Sequence, residues 1–190
     1  MGSSSKTNIR LREPIFCSAC GTKTDWVVSE KHGKEVEICP KCGKVHFRNS
    51  KPCAGALIVE NGKILLVKRA IEPFFGYWDI PGGFLNENEH PADGAIRETL
   101  EETGLNVEPL AFFGIFIDYY EGEGGGFTHN TYYIVKPIGG ALSAGDDASE
   151  AKWFSFDSLP ENIAFPNHAK KVLRLLIEKF PTKSDSMKER

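Results

Sequence analysis

No apolar run in this 190-residue chain approaches the about 18 residues that a membrane-spanning helix needs, so the sequence reading excludes a membrane partner. Met1 to Lys6 likewise lack the apolar stretch of a secretory signal, and the expected setting is the cytoplasm. No internal repeat is present, which argues against a solenoid. Material for a core is not lacking. Hydrophobic residues make up 41% and charged residues 26%, with a mean hydropathy of -0.29. These values exclude disorder and fibrous structure; with the length, they fit one domain or one domain with a small appendage.

Net charge is low, at -3, but unevenly distributed. Residues 1 to 53 carry 10 Lys and Arg against 5 Asp and Glu, whereas residues 54 to 190 carry 13 against 21. A basic segment beside an acidic body is one way to contact nucleic acid, but affinity for phosphates comes from a dense cationic patch. These ten cations are scattered, which weighs against nucleic acid as the partner.

Cysteine is sparse, five residues in all, yet four stand as Cys17-Ser-Ala-Cys20-Gly21 and Cys39-Pro-Lys-Cys42-Gly43 with eighteen residues between the pairs. Two C-x2-C knuckles at that separation have the spacing of a zinc ribbon, in which four thiolates surround one tetrahedral Zn2+. The glycine after each second cysteine permits the positive φ that such a turn tends to need. A disulfide or redox pair is the alternative, disfavoured by the doubled motif and the expected compartment. A four-cysteine site leaves no open coordination position, so this Zn2+ is expected to be structural, folding a segment too short to form its own core. Cys53 is left over. Trp26 to Val28 and Glu35 to Ile38 read as short strands about a turn at Lys31 to Lys34. Lys44 to Pro52 reads as a linker or edge strand with His46 on its surface. Residues 1 to 52 are thus the expected ribbon and linker.

In the body, residues 53 to 180, Ala54 to Glu60 and Lys63 to Arg69 are rich in branched apolar residues and meet at Asn61-Gly62, a strong hairpin signal. A polar, proline-bearing loop runs to Pro81-Gly82-Gly83. Helical periodicity from Pro91 stops at Gly104, which predicts a helix over 91–103. Further strands are expected at Ala111 to Tyr120, Thr131 to Lys136 and Lys152 to Phe156, separated by loops at 122–126 and 139–147. Pro166 to Phe180 reads as a closing amphipathic helix. Strands interleaved with two helices predict an α/β layered domain with a mixed sheet, and the polar tail, residues 181 to 190, is expected to fray.

At 100° per residue, Ala92, Ala95, Ile96, Thr99, Leu100 and Thr103 gather on one arc of the 91–103 helix, and Glu98, Glu101 and Glu102 on the opposite arc. Like charges three and four residues apart cost about 0.2–0.5 kcal/mol per pair. A solvated surface interleaves lysine with glutamate. Here Glu87, Glu89, Asp93, Glu98, Glu101, Glu102 and Glu108 face the single cation Arg97, which can lean on Glu101 one turn later and leaves the other two without comparable help. A hard divalent cation bound by oxygens is the natural counter-charge, and magnesium typically takes a few carboxylates while keeping waters that phosphate oxygens replace. Gly82-Gly83 upstream lets backbone approach a metal or phosphate where a side chain would obstruct.

Gly83, five residues, Glu89, seven residues, then Arg97-Glu98-Thr99-Leu100-Glu101-Glu102-Thr103-Gly104-Leu105 closely resembles the signature box of the Nudix hydrolases. Thr99 stands where that family usually has a large aliphatic. Tyr77-Trp-Asp-Ile-Pro-Gly-Gly83 and Glu150-Ala-Lys-Trp-Phe-Ser-Phe-Asp-Ser-Leu-Pro160 are similar to segments the family places before the box and after the last strands. The resemblance covers roughly residues 53 to 180. It implies a Nudix-type α/β/α sandwich with a mixed sheet, preceded here by the small zinc ribbon. It also implies a hydrolase that cleaves, with Mg2+ or Mn2+, a nucleoside diphosphate linked to another moiety. By the same resemblance Glu98 and Glu102 are the main metal ligands, with Glu101 and the Gly83 carbonyl contributing, and Arg97 orients the carboxylates. Glu89 ligates through water or braces the loop, and Glu150 is a candidate general base.

With a four-cysteine ribbon in front, the chain is similar to the branch that contains NADH pyrophosphatases and zinc-ribbon hydrolases of ADP-ribose and FAD. The implied reaction is hydrolysis of ADP-ribose or a related adenine dinucleotide, FAD or NADH among them, with release of AMP. For grip on a small-molecule nucleotide, Arg69 can pair with phosphate, and the ring that stacks on adenine is sought among Phe74, Phe75, Tyr77, Trp78, Tyr119 and Tyr120. Trp78 and Tyr119 are the named candidates, although most of these rings belong to a core. His129 and His168 read as structural or exposed. Two other readings stay open: a catalytically degenerate nucleotide sensor, and RNA cap removal by the same chemistry. Homodimerisation through ribbon or sheet is likewise open.

Overall fold

The computed structural model describes residues 15–31, 33–122 and 125–180, in two units that divide between Asn49 and Ser50. The expected fraying tail lies outside the described residues. In the smaller unit, β1 (Asp25–Ser29), β2 (Lys34–Ile38) and β3 (Val45–His46) form an antiparallel sheet in that order. Arg48 clamps the buried Glu37 through Nε at 2.7 Å and Nη2 at 2.9 Å, while Thr24 Oγ1 and the Ile15 N–H donate to the same carboxylate. Burial alone would raise the Glu37 pKa, but these donors, Arg48 first, hold it down to about 2. His46 is half-buried, with Nε2 shielded from solvent, so it does not lie on the surface as expected.

The larger unit begins with the hairpin of β4 (Lys51–Glu60) and β5 (Lys63–Arg69). Asn61 and Gly62 turn it with φ of 50° and 72°, the pair of positive angles that a type I′ turn requires. Then follow β6 (Trp78–Asp79), β7 (Gly82–Phe84), α1 (Pro91–Thr103), β8 (Leu105–Tyr120), β9 (Gly126–Gly140), β10 (Ala148–Ser155), a 3-10 turn at Phe156–Ser158, and α2 (Ala169–Lys179). The sheet runs β10-β5-β4-β9-β8, with β6 on β5 and β7 on β4. β4 and β9 are parallel and the other pairs antiparallel, which makes the sheet mixed.

Strict alternation along the central strands feeds two cores. Leu57, Ile64 and Leu66 pack with Val172, Leu173 and Leu176 of α2; Ala56, Ile58 and Leu65 pack with Ala95 of α1. A helix on each face makes the sandwich α/β/α, and double coverage is why these strands read as continuous apolar runs. Among the described residues, no helix is long and apolar enough to cross a membrane.

Four strands of the larger unit run longer than their apolar patterns predict, β4 starting at Lys51 rather than Ala54. β8 starts directly after Gly104, and β9 starts at Gly126, because Thr128 and Asn130 are buried polar residues: the Asn130 amide donates to the Phe116 carbonyl at 3.0 Å. β10 reaches back to Ala148 through a register shift before Glu150. α2 begins only at Ala169; residues 166–168, expected in the helix, form a turn that follows Phe165 at a positive φ of 47°. α1 occupies the expected span, with Pro91 in its first turn, the His90 ring accepting from the Ala92 N–H, and Gly104 closing it at φ 69°.

Candidate active site

α1 is rotated from the expected arc. Leu100 is 46% exposed and Glu102 is 5% exposed, so the buried stripe runs through Ala95, Thr99, Glu102 and Thr103. The small Thr99, whose hydroxyl donates to the Ala95 carbonyl at 2.7 Å, sits at its centre. The rotation carries Glu102 under the strand β7, where its Oε2 accepts a 2.9 Å hydrogen bond from the Gly82 N–H. Gly83 faces Glu98 so closely that a Cβ there would meet Glu98 Oε1 at 2.5 Å. Gly83 is thus required by the Glu98 carboxylate opposite, and Gly82 by the backbone of β4 at Ala54 and Gly55.

Arg97 ties the helix to the preceding loop. Its Nε and Nη2 grip both oxygens of Glu89 at 2.7 and 2.9 Å, Nη2 also reaches the Phe84 carbonyl, and Nη1 donates to Glu98 at 2.8 Å and Glu101 at 2.9 Å. Glu98 therefore shares the cation that the sequence reading gave to Glu101 alone, because Nη1 lies between the two. Glu89 accepts in addition from the Asn86 N–H, a geometry that braces the loop, and does not line the cleft. Arg97 first, then Asn86, holds its pKa down to about 2.

A cleft of about 450 Å³ opens in front of these groups, lined among others by Gly83, Glu98, Glu101, Asp146 and Asp147. Burial pushes the Glu98 pKa up despite Arg97, and burial pushes Glu102 well up, helped by the charges of Asp147, Asp79 and Glu98 and opposed by the Gly82 N–H. Asp79 is raised to about 6 by burial, with Arg69 pulling the other way. Glu98 and Glu102, both pushed up by burial and by neighbouring carboxylates beside a glycine backbone, suit a hard divalent cation with oxygen ligands. The α1 carboxylates are less tightly gathered than the cysteines. Among the described residues, Cys17, Cys20, Cys39 and Cys42 are the group whose ligand atoms all lie within 4.8 Å of one another.

In that cluster Cys17 Sγ lies 3.6 Å from Cys42 Sγ and Cys20 Sγ 3.5 Å from Cys39 Sγ. A tetrahedron with metal–sulfur bonds of about 2.3 Å has an edge of about 3.8 Å, so the sulfurs stand at the spacing that Zn2+ needs. Gly21 and Gly43, at φ 68° and 73°, make the two knuckle turns.

Several predicted residues fall elsewhere. Glu150 is a correction: it lies outside the cleft lining, 47% exposed, with Lys68 Nζ at 3.9 Å, because the bulge at the start of β10 leaves it on the solvent side. Trp78 is another. It is core, stacked edge-on with Phe154 at 4.6 Å, and does not line the cleft. Arg69 and Tyr119 do line it. The Arg69 guanidinium is fixed by the Pro73 carbonyl and Asp79, over the ring of Phe165.

Asp79, Asp147, Phe165 and a buried chain from Asp118 through His168 to Tyr132 escaped the sequence reading. His168 Nδ1 is 2.7 Å from Asp118 Oδ2 and Nε2 is 2.9 Å from Tyr132 Oη. Of the two readings given to His168, structural or exposed, the structure has the first: it is buried within this chain. Asp79 stood within the Trp-Asp-Ile-Pro-Gly-Gly segment; the adjacent Asp146-Asp147 after a glycine was the available sign for the other wall.

A sandwich with this sheet order, whose first helix sets a glutamate row against a glycine pair, defines a class, and comparison with known proteins gives the same class. The profile of the NUDIX domain matches residues 50–176, more than half of the chain. The chain belongs to the Nudix family. It is 38% identical over 105 residues to an ADP-ribose pyrophosphatase of Methanocaldococcus jannaschii, covering 55% of this chain and 62% of that protein. It is 26% identical over 165 residues to the NAD-capped RNA hydrolase NudC of Pseudomonas aeruginosa, covering 84% of this chain and 54% of that protein. The crystal structure of a NUDIX hydrolase from Nitrosomonas europaea superposes with a TM-score of 0.71 at 29% identity, over 88% of this chain and 93% of that one.

Proposed function

We propose that this protein hydrolyses the diphosphate bridge of a nucleoside diphosphate linked to another moiety, with Mg2+ or Mn2+ as cofactor and Zn2+ as a structural ion. ADP-ribose or a related adenine dinucleotide, FAD or NADH, is the substrate, and AMP one product. The observation that carries this reading is the carboxylate wall of α1, with Glu98 against Gly83 and the buried Glu102 held by the Gly82 N–H. The ADP-ribose pyrophosphatase relative supports the substrate class.

Glu98, Glu101, Glu102 and the Gly83 carbonyl would hold the divalent cation. When bound, such an ion neutralises phosphate charge and makes water a better nucleophile. Arg97 keeps Glu98 and Glu101 from swinging away, and Glu89 keeps Arg97 in place. Arg69 presents a fixed guanidinium to a phosphate. In the reaction water oxygen bonds to phosphorus, the P–O–P bridge breaks, and the water's protons leave to solvent past the cleft carboxylates.

RNA cap removal remains a second reading, since the similarity to NudC extends over 84% of the chain. A sensor that has lost catalysis is disfavoured, because every acid of the box is in place. A panel of ADP-ribose, FAD, NADH, CoA, diadenosine polyphosphates and NAD-capped RNA, assayed with Mg2+ and resolved by product, tests the proposal. Turnover of ADP-ribose or a dinucleotide to AMP is expected; turnover of the capped RNA alone would favour the second reading.

A further inference from the structure

Phe165 lines the cleft yet belongs to none of the groups that the proposed hydrolysis uses. Its backbone stands at φ 47°, a region that bulky residues rarely enter and that the following Pro166 disfavours further. The conformation is held from several sides. The Phe165 carbonyl accepts from the N–H groups of His168 at 3.2 Å and Ala169 at 3.0 Å, and the His168 ring is locked between Asp118 and Tyr132. Arg69 Cζ sits 5.0 Å from the centroid of the ring, and Phe74 meets it edge-on at 4.9 Å. Tyr120, also in the cleft lining, lies at 6.1 Å with only 30° between the two planes.

Phe165 stands outside the core that α2 builds with Val172, Leu173 and Leu176, its ring 6.0 Å from that of His168. It is half-buried beside an open cleft. Strained backbone persists where its surroundings over-determine it, and such places cluster at ligand clamps. We infer that Phe165 is a specificity-determining residue: with Tyr120 it forms the aromatic shelf against which the nucleobase lies, and the Asp118–His168–Tyr132 chain positions it. This rests on the nucleotide-hydrolase reading above. It places the base by Arg69, whose guanidinium then stands between the base and the phosphates. Stacking of a base on an aromatic side chain tolerates any base, so discrimination acts between substrates with a base and substrates without one.

The test compares the full chain with its Phe165→Gly and Phe165→Trp variants. Glycine accepts the positive φ and removes the ring; tryptophan keeps an aromatic face. AMP affinity by calorimetry and KM for ADP-ribose with Mg2+ should each weaken about tenfold in F165G and recover in F165W, with kcat within about twofold. KM for ribose 5-diphosphate, which has no base, should not move. Unchanged AMP affinity in F165G, or an equal loss on the base-free substrate, would overturn the assignment. No turnover of ADP-ribose or any dinucleotide by the parent chain would instead remove the hydrolase reading and leave the AMP titration to judge Phe165 by itself.

Discussion

Glu102 Oε2 accepts a 2.9 Å hydrogen bond from the backbone N–H of Gly82, joining the buried edge of α1 to the first residue of β7. One residue on, Gly83 faces Glu98. Strand and helix thus stand so close at Gly83 that a Cβ has no room, and the Gly82 backbone holds Glu102 while Arg97 holds Glu98.

Gly83→Ala should therefore disable the site without unfolding the protein. The new Cβ would meet Glu98 Oε1 at 2.5 Å, and a carboxylate end can swing aside at little cost to stability. A loss of about 10- to 100-fold in kcat/KM is expected, the range seen when metal ligands lose their orientation. Melting temperature should change little; steady-state kinetics and calorimetry check both.

Glu150→Gln should leave turnover within about twofold of the parent, because a solvent-facing side chain beside Lys68 has no part in the cleft. A pH–rate profile that loses its acidic limb in this variant would restore Glu150 as a base.

How far the site could be read beforehand follows from the range of its contacts. The span of α1 was legible because Pro91 and Gly104 are local signals, and its acids because their spacing is local too. The rotation that buries Glu102 was not, since it depends on Thr99 allowing α1 close to the sheet. Asp79, Asp118, Tyr132 and His168 meet only through pairing of distant strands, and each alone is an ordinary polar residue. Thr128 and Asn130 masked the start of β9 for the same reason: their burial depends on β8 lying alongside.

Asp79 should make stability fall with pH over a defined window. Burial raises its folded pKa from 3.8 to about 6, so the folded state binds the proton more tightly than the unfolded state does. The penalty is absent below about pH 4, grows through pH 6 and is constant above, on the order of 3 kcal/mol in full. Asp79→Asn should reduce the slope in denaturant titrations from pH 4 to 7, and what remains comes from Glu98 and Glu102, which burial also raises. Glu37 and Glu89, held down to about 2, add stability that is lost only as pH falls from about 4.5 toward 2, outside this window.

The purified protein should contain one Zn2+ per chain by elemental analysis, and Cys39→Ser should lose it. Metal binding by thiolates is folding free energy for a segment with so small a core, so amides of β1 and β2 should lose hydrogen-exchange protection in that variant. Protected amides in a zinc-free protein would contradict the structural role.

The central claim is that the α1 carboxylates bind a divalent cation and through it the substrate's bridging phosphates. Turnover of ADP-ribose by Glu102→Gln against Mg2+ concentration tests it most directly, since Gln keeps the acceptor for the Gly82 N–H and removes only the charge. The account predicts a loss of at least about a hundredfold with the circular-dichroism spectrum and melting curve preserved; turnover equal to the parent at the same Mg2+ concentration would contradict it.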